Sequence, residues 1–451
     1  ILTLLKILLM VGFLFNVAAV PTWADRRQSA MIQDRIGPNR AVIRIFGKEV
    51  RLAGLLHTAA DGIKFFFKED FVPPNADKIL FALAPMLAMV PVLALVAVIP
   101  FGDTVCVHRL WPNFPSLFGN LFPATQRYGV CPKSDGGIEL MIAPLNVGIL
   151  YVFAFAGQGI VGAAIAGWSS DNKFSLMGAL RAASQMVSYE VAIGLSLVGA
   201  FMVYGTVRLD DMVRWQGDEA WGIFVQPLGF VLFFIAAVAE SKRIPFDLPE
   251  AESELVSGYF TEYSGMKFGM FYFSEYMEVV TSSMLLVTVF LGGYELPFLH
   301  RDGITIELGT ARIWHFLLPH IWVTIFQVCA FFGKTLTVCW LQAFVRWSLP
   351  RFRYDQLMKL GWRVLLPAAL ANLMITGCVV LGIGRLSRYA QGGIKVAEDV
   401  TQAFVAVAIL AIVVLGIVGL FRKTNHLKSL AGTSAKLASA MGGTKSRPMQ
   451  A

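Results

Sequence analysis

About nine uninterrupted apolar stretches, each long enough to cross a bilayer as a helix, constrain this chain more than any other feature. They run approximately over residues 1–20, 79–100, 138–167, 176–204, 221–240, 266–292, 313–341, 362–384 and 400–421. A hydrocarbon core of about 30 Å needs about 20 helical residues, and lipid forces every backbone N–H and C=O to pair within the protein. A membrane β-barrel would show short segments of alternating polarity, whereas these runs are continuous. Only 15% of the residues are charged and 56% are hydrophobic, against about 25% charged in soluble domains. The predicted fold is an all-α polytopic membrane protein with about nine transmembrane helices. Such a composition excludes a soluble enzyme and gives no reason to expect nucleic acid as a partner.

Charge placement orients the helices. If the segment after the first span is cytoplasmic, that side collects 26 of the 38 Lys and Arg residues and the opposite loops hold 10, with Lys6 and Lys334 inside spans. The positive-inside rule then puts the N-terminus outside and the C-terminus in the cytoplasm. Val17-Ala18-Ala19 resembles a signal-peptide cleavage region, but no basic region precedes it and Arg26 and Arg27 follow it, which marks a retained helix.

Several stretches between the spans carry information. Asp25 to Arg40 brings Arg26, Arg27, Arg35 and Arg40 just inside the membrane, and Gly37-Pro38-Asn39 stops a helix. From Leu52 to Phe67, apolar residues recur at helical spacing while Arg51, Asp61, Lys64 and Lys68 forbid a membrane span. That pattern predicts one interfacial amphipathic helix. Pro85, Pro91 and Pro100 predict a kinked second span. The long outside loop 101–137 contains Cys106 and Cys131, which an outside location would allow to pair. Cys329, Cys339 and Cys378 fall in spans, no C-x-x-C occurs, and the six His show no ligand spacing. No metal site and no catalytic nucleophile are therefore predicted.

The most unusual stretch is Glu240 to Ser264, ESKRIPFDLPEAESELVSGYFTEYS, within which residues 241–264 form an acidic cytoplasmic loop. It carries six carboxylates, Glu240, Asp247, Glu250, Glu252, Glu254 and Glu262, between two spans. Glu250, Glu252 and Glu254 stand close enough to repel one another, which favours proton uptake near neutral pH. Either a solvated acidic loop or a proton-handling site would fit; the interspersed Phe246, Pro249, Tyr259, Phe260 and Tyr263 favour the second. Inside the spans, Glu190, Glu275 and Glu278 are expensive, at about 2.5 to 3.5 kcal/mol each near mid-helix. Glu275 and Glu278 share a helix face. Such groups line polar paths or satisfy a packing need. Lys334 is a further candidate for the path, and Glu139, at an outer helix end, a weaker one.

DRRQSAMIQDRIGPNR, ADGIKFFFKED, AGWSSDNKFSLMGALRAASQMVSYEV, the acidic stretch with its extension GMKFGMFY, and SLPRFRYDQLMKLGW together resemble the quinone-site membrane subunit of respiratory complex I, as found in bacteria and mitochondria. The resemblance covers residues 1–384. It implies a membrane subunit of a proton-translocating NADH:quinone oxidoreductase in a bacterial inner membrane, with quinone as substrate. Residues matching the quinone chamber and coupling loop are Arg26, Arg35, Asp61, Asp247, Glu250, Glu252 and Glu254. Glu190, Glu240 and Glu275 match the family's chain of buried acids, and Glu278 joins them here by its spacing from Glu275. The resemblance further implies that this chain binds no cofactor of its own. NADH, FMN and iron–sulfur clusters would sit on partner subunits, and no G-x-G-x-x-G follows a strand here. The implied partners are the hydrophilic-arm quinone-site subunits and the small membrane subunits beside the antiporter-like ones.

Three features depart from the family pattern. Asp25 stands where Glu is usual, a shorter reach toward loop arginines; His57 stands where Gln is common, as a hydrogen-bonding or titrating group. The long outside loop, an extra C-terminal helix within 385–421 and a basic tail over 422–451 exceed shorter members and are expected to meet accessory subunits. Alternatives are a stand-alone transporter, a passive anchor, or the homologous subunit of a membrane-bound hydrogenase. A transporter would usually show paired halves, and no internal repeat occurs.

Overall fold

The computed structural model describes residues 2–35, 37–38, 40–45, 48–50, 54–106, 137–249, 252–300, 303–308 and 311–383, with isolated helical positions at 400, 403, 407 and 411. The chain divides into two units, 1–401 and 402–451, and the architecture is that of the first. Apart from those four positions, the ninth expected span lies outside the described residues, as do the basic tail, Cys131 and most of the long outside loop.

The first helix, α1, runs over Leu2–Ile32. A short hairpin, β1 (Ile43–Ile45) and β2 (Lys48–Val50), leads to the amphipathic α2 (Leu56–Phe67), four residues shorter than the sequence pattern. Its Ile63, Phe66 and Phe67 face outward, and Phe65 packs on Phe268 with ring centroids 6.0 Å apart. Asp77 caps α3 (Lys78–Leu95), accepting from the N–H groups of Ile79 and Leu80. The β3–β4 ladder (Val105–Cys106 with Gly137–Ile138) follows, then α4 (Gly148–Ser169) and α5 (Lys173–Tyr204), joined by a tight turn. The span expected from 138 thus starts ten residues later, because Gly137 and Ile138 are spent on a strand pair.

After the short helices α6 (Leu209–Asp218) and α7 (Gly222–Val225), α8 covers Pro227–Glu240. The span expected over 221–240 is broken at Gln226, because Pro227 can start a helix but cannot continue one. Fourteen residues reach about 21 Å, less than a full crossing. One turn, α9 (Glu252–Leu255), precedes α10 (Gly265–Phe290). A three-stranded sheet, β5 (Leu299–His300), β6 (Gly303–Leu308) and β7 (Ala311–Leu317), replaces the expected start of the next span, and α11 begins at His320 and ends at Ser348. Beyond it α12 (Tyr354–Lys359) runs through a π-helical stretch, Leu360–Leu365, into α13 (Leu366–Ile383).

Seven described helices are long and apolar enough to cross a membrane, and the eighth expected one is the shorter α8. The protein is an all-α polytopic membrane protein whose described strands are short pairs and one three-stranded sheet between spans. Of the seven, α10 is the most enclosed, with 83% of its apolar window buried against at most 50% for the others. It packs on α1, α2, α3, α8 and α11, so what it carries lies at the centre of the bundle.

Small residues bring the helices close. A Cβ on Gly162 of α4 would stand 2.8 Å from the Ala88 nitrogen of α3, and one on Gly178 of α5 would stand 2.7 Å from Gly258 Cα. On the far side of the bundle from the acidic loop, Asp210 meets Arg214 at 3.0 Å and Arg208 at 3.4 Å and accepts from the Tyr294 hydroxyl at 3.3 Å. This group ties α6 to the chain leaving α10. Nearby, Lys334 of α11 donates to the carbonyls of Leu291, Gly293 and Glu295 at 2.8, 3.1 and 2.6 Å, and its ammonium lies 4.3 Å from the Trp221 ring centroid. A cation there satisfies carbonyls at the cap of α10 and in the turn just beyond it, at the negative end of the helix dipole. Lys334 therefore caps a helix.

Candidate functional site

The turn after α8 gathers the ionisable groups. Glu240 is the last residue of α8, and the chain reverses through Ser241 and Lys242 before running as loop to α9. Gln185 of α5 fixes this reversal by donating to the carbonyls of Ala239 at 2.7 Å and Phe246 at 2.8 Å. Phe246 stacks on Phe352 at 5.5 Å, and Asp247 is buried against Arg351 at 2.7 Å. Burial raises the Asp247 carboxyl above the usual aspartate range, with Arg351 opposing.

Glu275 of α10 is 2% exposed. The Tyr259 hydroxyl donates to its Oε1 at 3.1 Å, and Arg243 approaches its Oε2 at 3.6 Å. The Arg243 guanidinium lies 3.9 Å from the centroid of the Tyr276 ring, and the Tyr276 hydroxyl donates to Asp25 at 3.1 Å. Asp25 also accepts from Arg346 and from Trp347 Nε1, at the end of α11. Its shorter side chain reaches a partner because α11 delivers arginine to it. A continuous polar run therefore joins α1, α11, α10 and the turn after α8.

One helical turn along α10, Glu278 pairs with Lys242 at 3.2 Å. Both line a cavity that Glu240 also faces, together with Ser274, Thr281 and Ser282. A cavity so lined meets the polar requirement for holding water. Burial lowers the affinity of Lys242 for its proton, but Glu278 and Glu275 outweigh it, and the ammonium is held above the ordinary lysine value. Glu190 turns its carboxylate toward Gly157 of α4, and its charge reaches Glu240.

The remaining expected site residues are more scattered. Arg26 forms an ion pair with Asp61, which fastens α2 to the end of α1. Arg35 donates to Ser29 Oγ at 3.5 Å. His57 of α2 accepts from the backbone N–H groups of Arg40 and Ala41, both at 3.1 Å, which makes it a hydrogen-bonding residue that holds the chain just before the hairpin. Glu254 pairs with Arg181 at 2.7 Å on the exposed side. Glu250 and the Glu252 side chain lie outside the described residues. Glu139 precedes α4 by nine positions and is no helix end; its carbonyl accepts from Lys6 at 2.7 Å. Lys242, Arg243, Tyr276, Arg346 and Trp347 are not singled out by sequence. Lys242 and Arg243 stand beside Glu240 in plain view, but basic residues at the end of a span pass for ordinary flanking charges.

Buried carboxylates on membrane helices, with Glu275 beside a hydroxyl and a guanidinium and Glu278 beside an ammonium, define a polytopic membrane protein with a polar interior. The comparisons narrow this class to one family. The NADH dehydrogenase family model matches residues 5–377. An NADH-quinone oxidoreductase H subunit of Cytophaga hutchinsonii is 41% identical over 365 residues, covering 81% of this chain and 92% of that protein. The corresponding H subunits of Flavobacterium psychrophilum and Thermomicrobium roseum are each 42% identical, covering 81% and 84% of this chain and 93% and 97% of their own. The chain belongs to the family of NADH-quinone oxidoreductase H subunits, and is a membrane component of that multi-subunit enzyme.

Proposed function

We propose that this chain forms part of the quinone-binding chamber and carries the acidic path that couples quinone reduction to proton translocation. The observation that carries the proposal is the polar run from Asp25 through Tyr276 and Arg243 to Glu275, beside the Lys242–Glu278 pair and Glu240. Reduction of a quinone to its quinol takes up two electrons and two protons. Electrons arrive from NADH through flavin and iron–sulfur clusters on hydrophilic partner subunits. The chain's own part is to draw the head group in beside Arg26, Arg35 and Asp61 and to answer its change of charge. A charge gained near Asp25 and Arg346 alters the pull on Arg243, and Arg243 touches Glu275. Glu275, Glu278, Glu240 and Glu190 then take up or release protons toward the small membrane subunits.

In this reading the acidic loop, with Asp247, Glu250, Glu252 and Glu254, lies at the foot of the chamber on the cytoplasmic side of a bacterial inner membrane. The N-terminus is outside. The extra C-terminal helix and the long outside loop meet neighbouring subunits. The test is to replace Arg26 or Asp61 by Ala in the whole complex. Quinone reduction should fall while NADH oxidation by artificial acceptors persists, since flavin chemistry belongs to other chains. Equal loss of both activities in an assembled complex would contradict a quinone-site role.

A further inference from the structure

Lys242 stands two residues past the end of α8. At such a membrane boundary a lysine stem normally carries its ammonium out to water. Here its backbone takes φ +55°, the left-handed region that glycine usually supplies after a helix and that a lysine rarely adopts. Hydrogen bonds hold the turn: Lys242 N–H donates to the Ala239 carbonyl at 3.4 Å, and Ser241 Oγ–H to the Val238 carbonyl at 3.0 Å. The result is a side chain aimed into the bundle, 8% exposed, with Nζ 3.2 Å from Glu278 Oε2.

The charged groups around it come from every packed element that has one. Glu240 ends α8, Glu275 and Glu278 come from α10, Glu190 of α5 stands behind Glu240, and Arg243 is the next residue in the chain. The walls that α3 and α4 contribute to the cavity are apolar. A single ion pair is a weak reason to bury two charges, because desolvation cancels much of the attraction. A cation shared among several acids instead sets how tightly each of them holds a proton.

We infer that Lys242 is the fixed countercharge of the carboxylate path: it neutralises Glu278 and leaves Glu240 as the group on which the transferable proton rests. A proton arriving at Glu240 forms an O–H bond on its carboxylate and leaves by breaking that same bond, with Lys242 and Glu278 unchanged. Lys242 is a positioning residue in this scheme, which rests on the coupling role proposed above.

The experiment compares the pH profile of NADH:quinone turnover in the intact complex, in sealed vesicles, for Lys242→Gln, Glu278→Gln and the double variant. Assembly is checked by artificial-acceptor activity. Without the ammonium, neighbouring acids hold their protons more tightly, so Lys242→Gln should move the optimum up by about one pH unit. Glu278→Gln frees the cation to act on Glu240 and should move it down by about as much. The double variant should return toward the original profile. Optima that stay put, or move the same way in both single variants, overturn the inference and leave the pair structural. Should Lys242→Gln fail to assemble, Glu278→Gln carries the test with Lys242→Arg, which must keep the wild-type optimum whatever its rate. An unmoved optimum in Glu278→Gln then overturns it. Failure of the coupling role itself would register differently, as wild-type turnover and gradient in Glu190→Gln and Glu240→Gln.

Discussion

Replacing Lys334 by Met separates a structural cation from a proton carrier. Methionine keeps the length and apolar stem of lysine and removes the ammonium, which holds three carbonyls beyond the end of α10. Hydrogen bonds from a charged donor contribute about 1.5 to 3 kcal/mol each, so three give a gross loss of about 5 to 9 kcal/mol. Removing a charge from a membrane helix returns about 2.5 to 3.5 kcal/mol. The net destabilisation of the α10–α11 contact is then about 1.5 to 6.5 kcal/mol, local to the side opposite the acidic loop. The assay is heat and detergent tolerance of the purified complex, beside NADH:quinone turnover and gradient per assembled complex. Lower tolerance with unchanged coupling is the expected result. Normal tolerance with lost coupling would refute the capping role and return Lys334 to the polar path that its position in a span first suggested.

Packing and charge lead to two further outcomes. Gly178→Ala would press a methyl group onto the Gly258–Tyr259 backbone, 2.7 to 2.8 Å away; overpacking of this kind costs about 1 to 3 kcal/mol. Because Tyr259 donates to Glu275, turnover should fall in assembled complex, and wild-type turnover would show that this hydrogen bond is dispensable. Arg351→Gln removes the cation beside the buried Asp247. A carboxyl whose folded pKa is raised stabilises the fold at low pH and loses that contribution as pH rises through the folded value. Without Arg351 the value rises further, so proteolysis of loop 241–264 should increase with pH more steeply than in wild type; a pH-independent cleavage rate would contradict this.

Legibility in the sequence depends on the range of the interaction. Apolar length alone identifies the membrane spans, and the cost of Glu190, Glu275 and Glu278 in lipid marks them without any partner in view. The break at Gln226–Pro227 is legible in principle, since Pro227 cannot donate a helical hydrogen bond. The strand β7 is not: its stretch 313–317 is apolar apart from His315 and runs on toward the helix, and only its pairing with β6 removes it from the span. Partners far apart in sequence are equally hidden. Asp25 and Arg346 are separated by 321 positions, and nothing local announces their contact. The partner of Glu254 is hidden in the same way, because Arg181 lies on another helix.

The central claim is that buried carboxylates of this subunit link quinone reduction to proton movement. Its most direct test is Glu275→Gln, with Glu190→Gln beside it, in complexes reconstituted into sealed vesicles. The amide keeps size and most hydrogen bonds but cannot change charge, and burying it is less costly than burying a carboxylate. NADH:quinone turnover and the proton gradient are measured on the same vesicles, with artificial-acceptor activity reporting assembly. Assembly should persist while turnover and gradient fall together, and Glu→Asp should retain part of both. Wild-type turnover and gradient in both Gln variants would make these carboxylates structural and contradict the account.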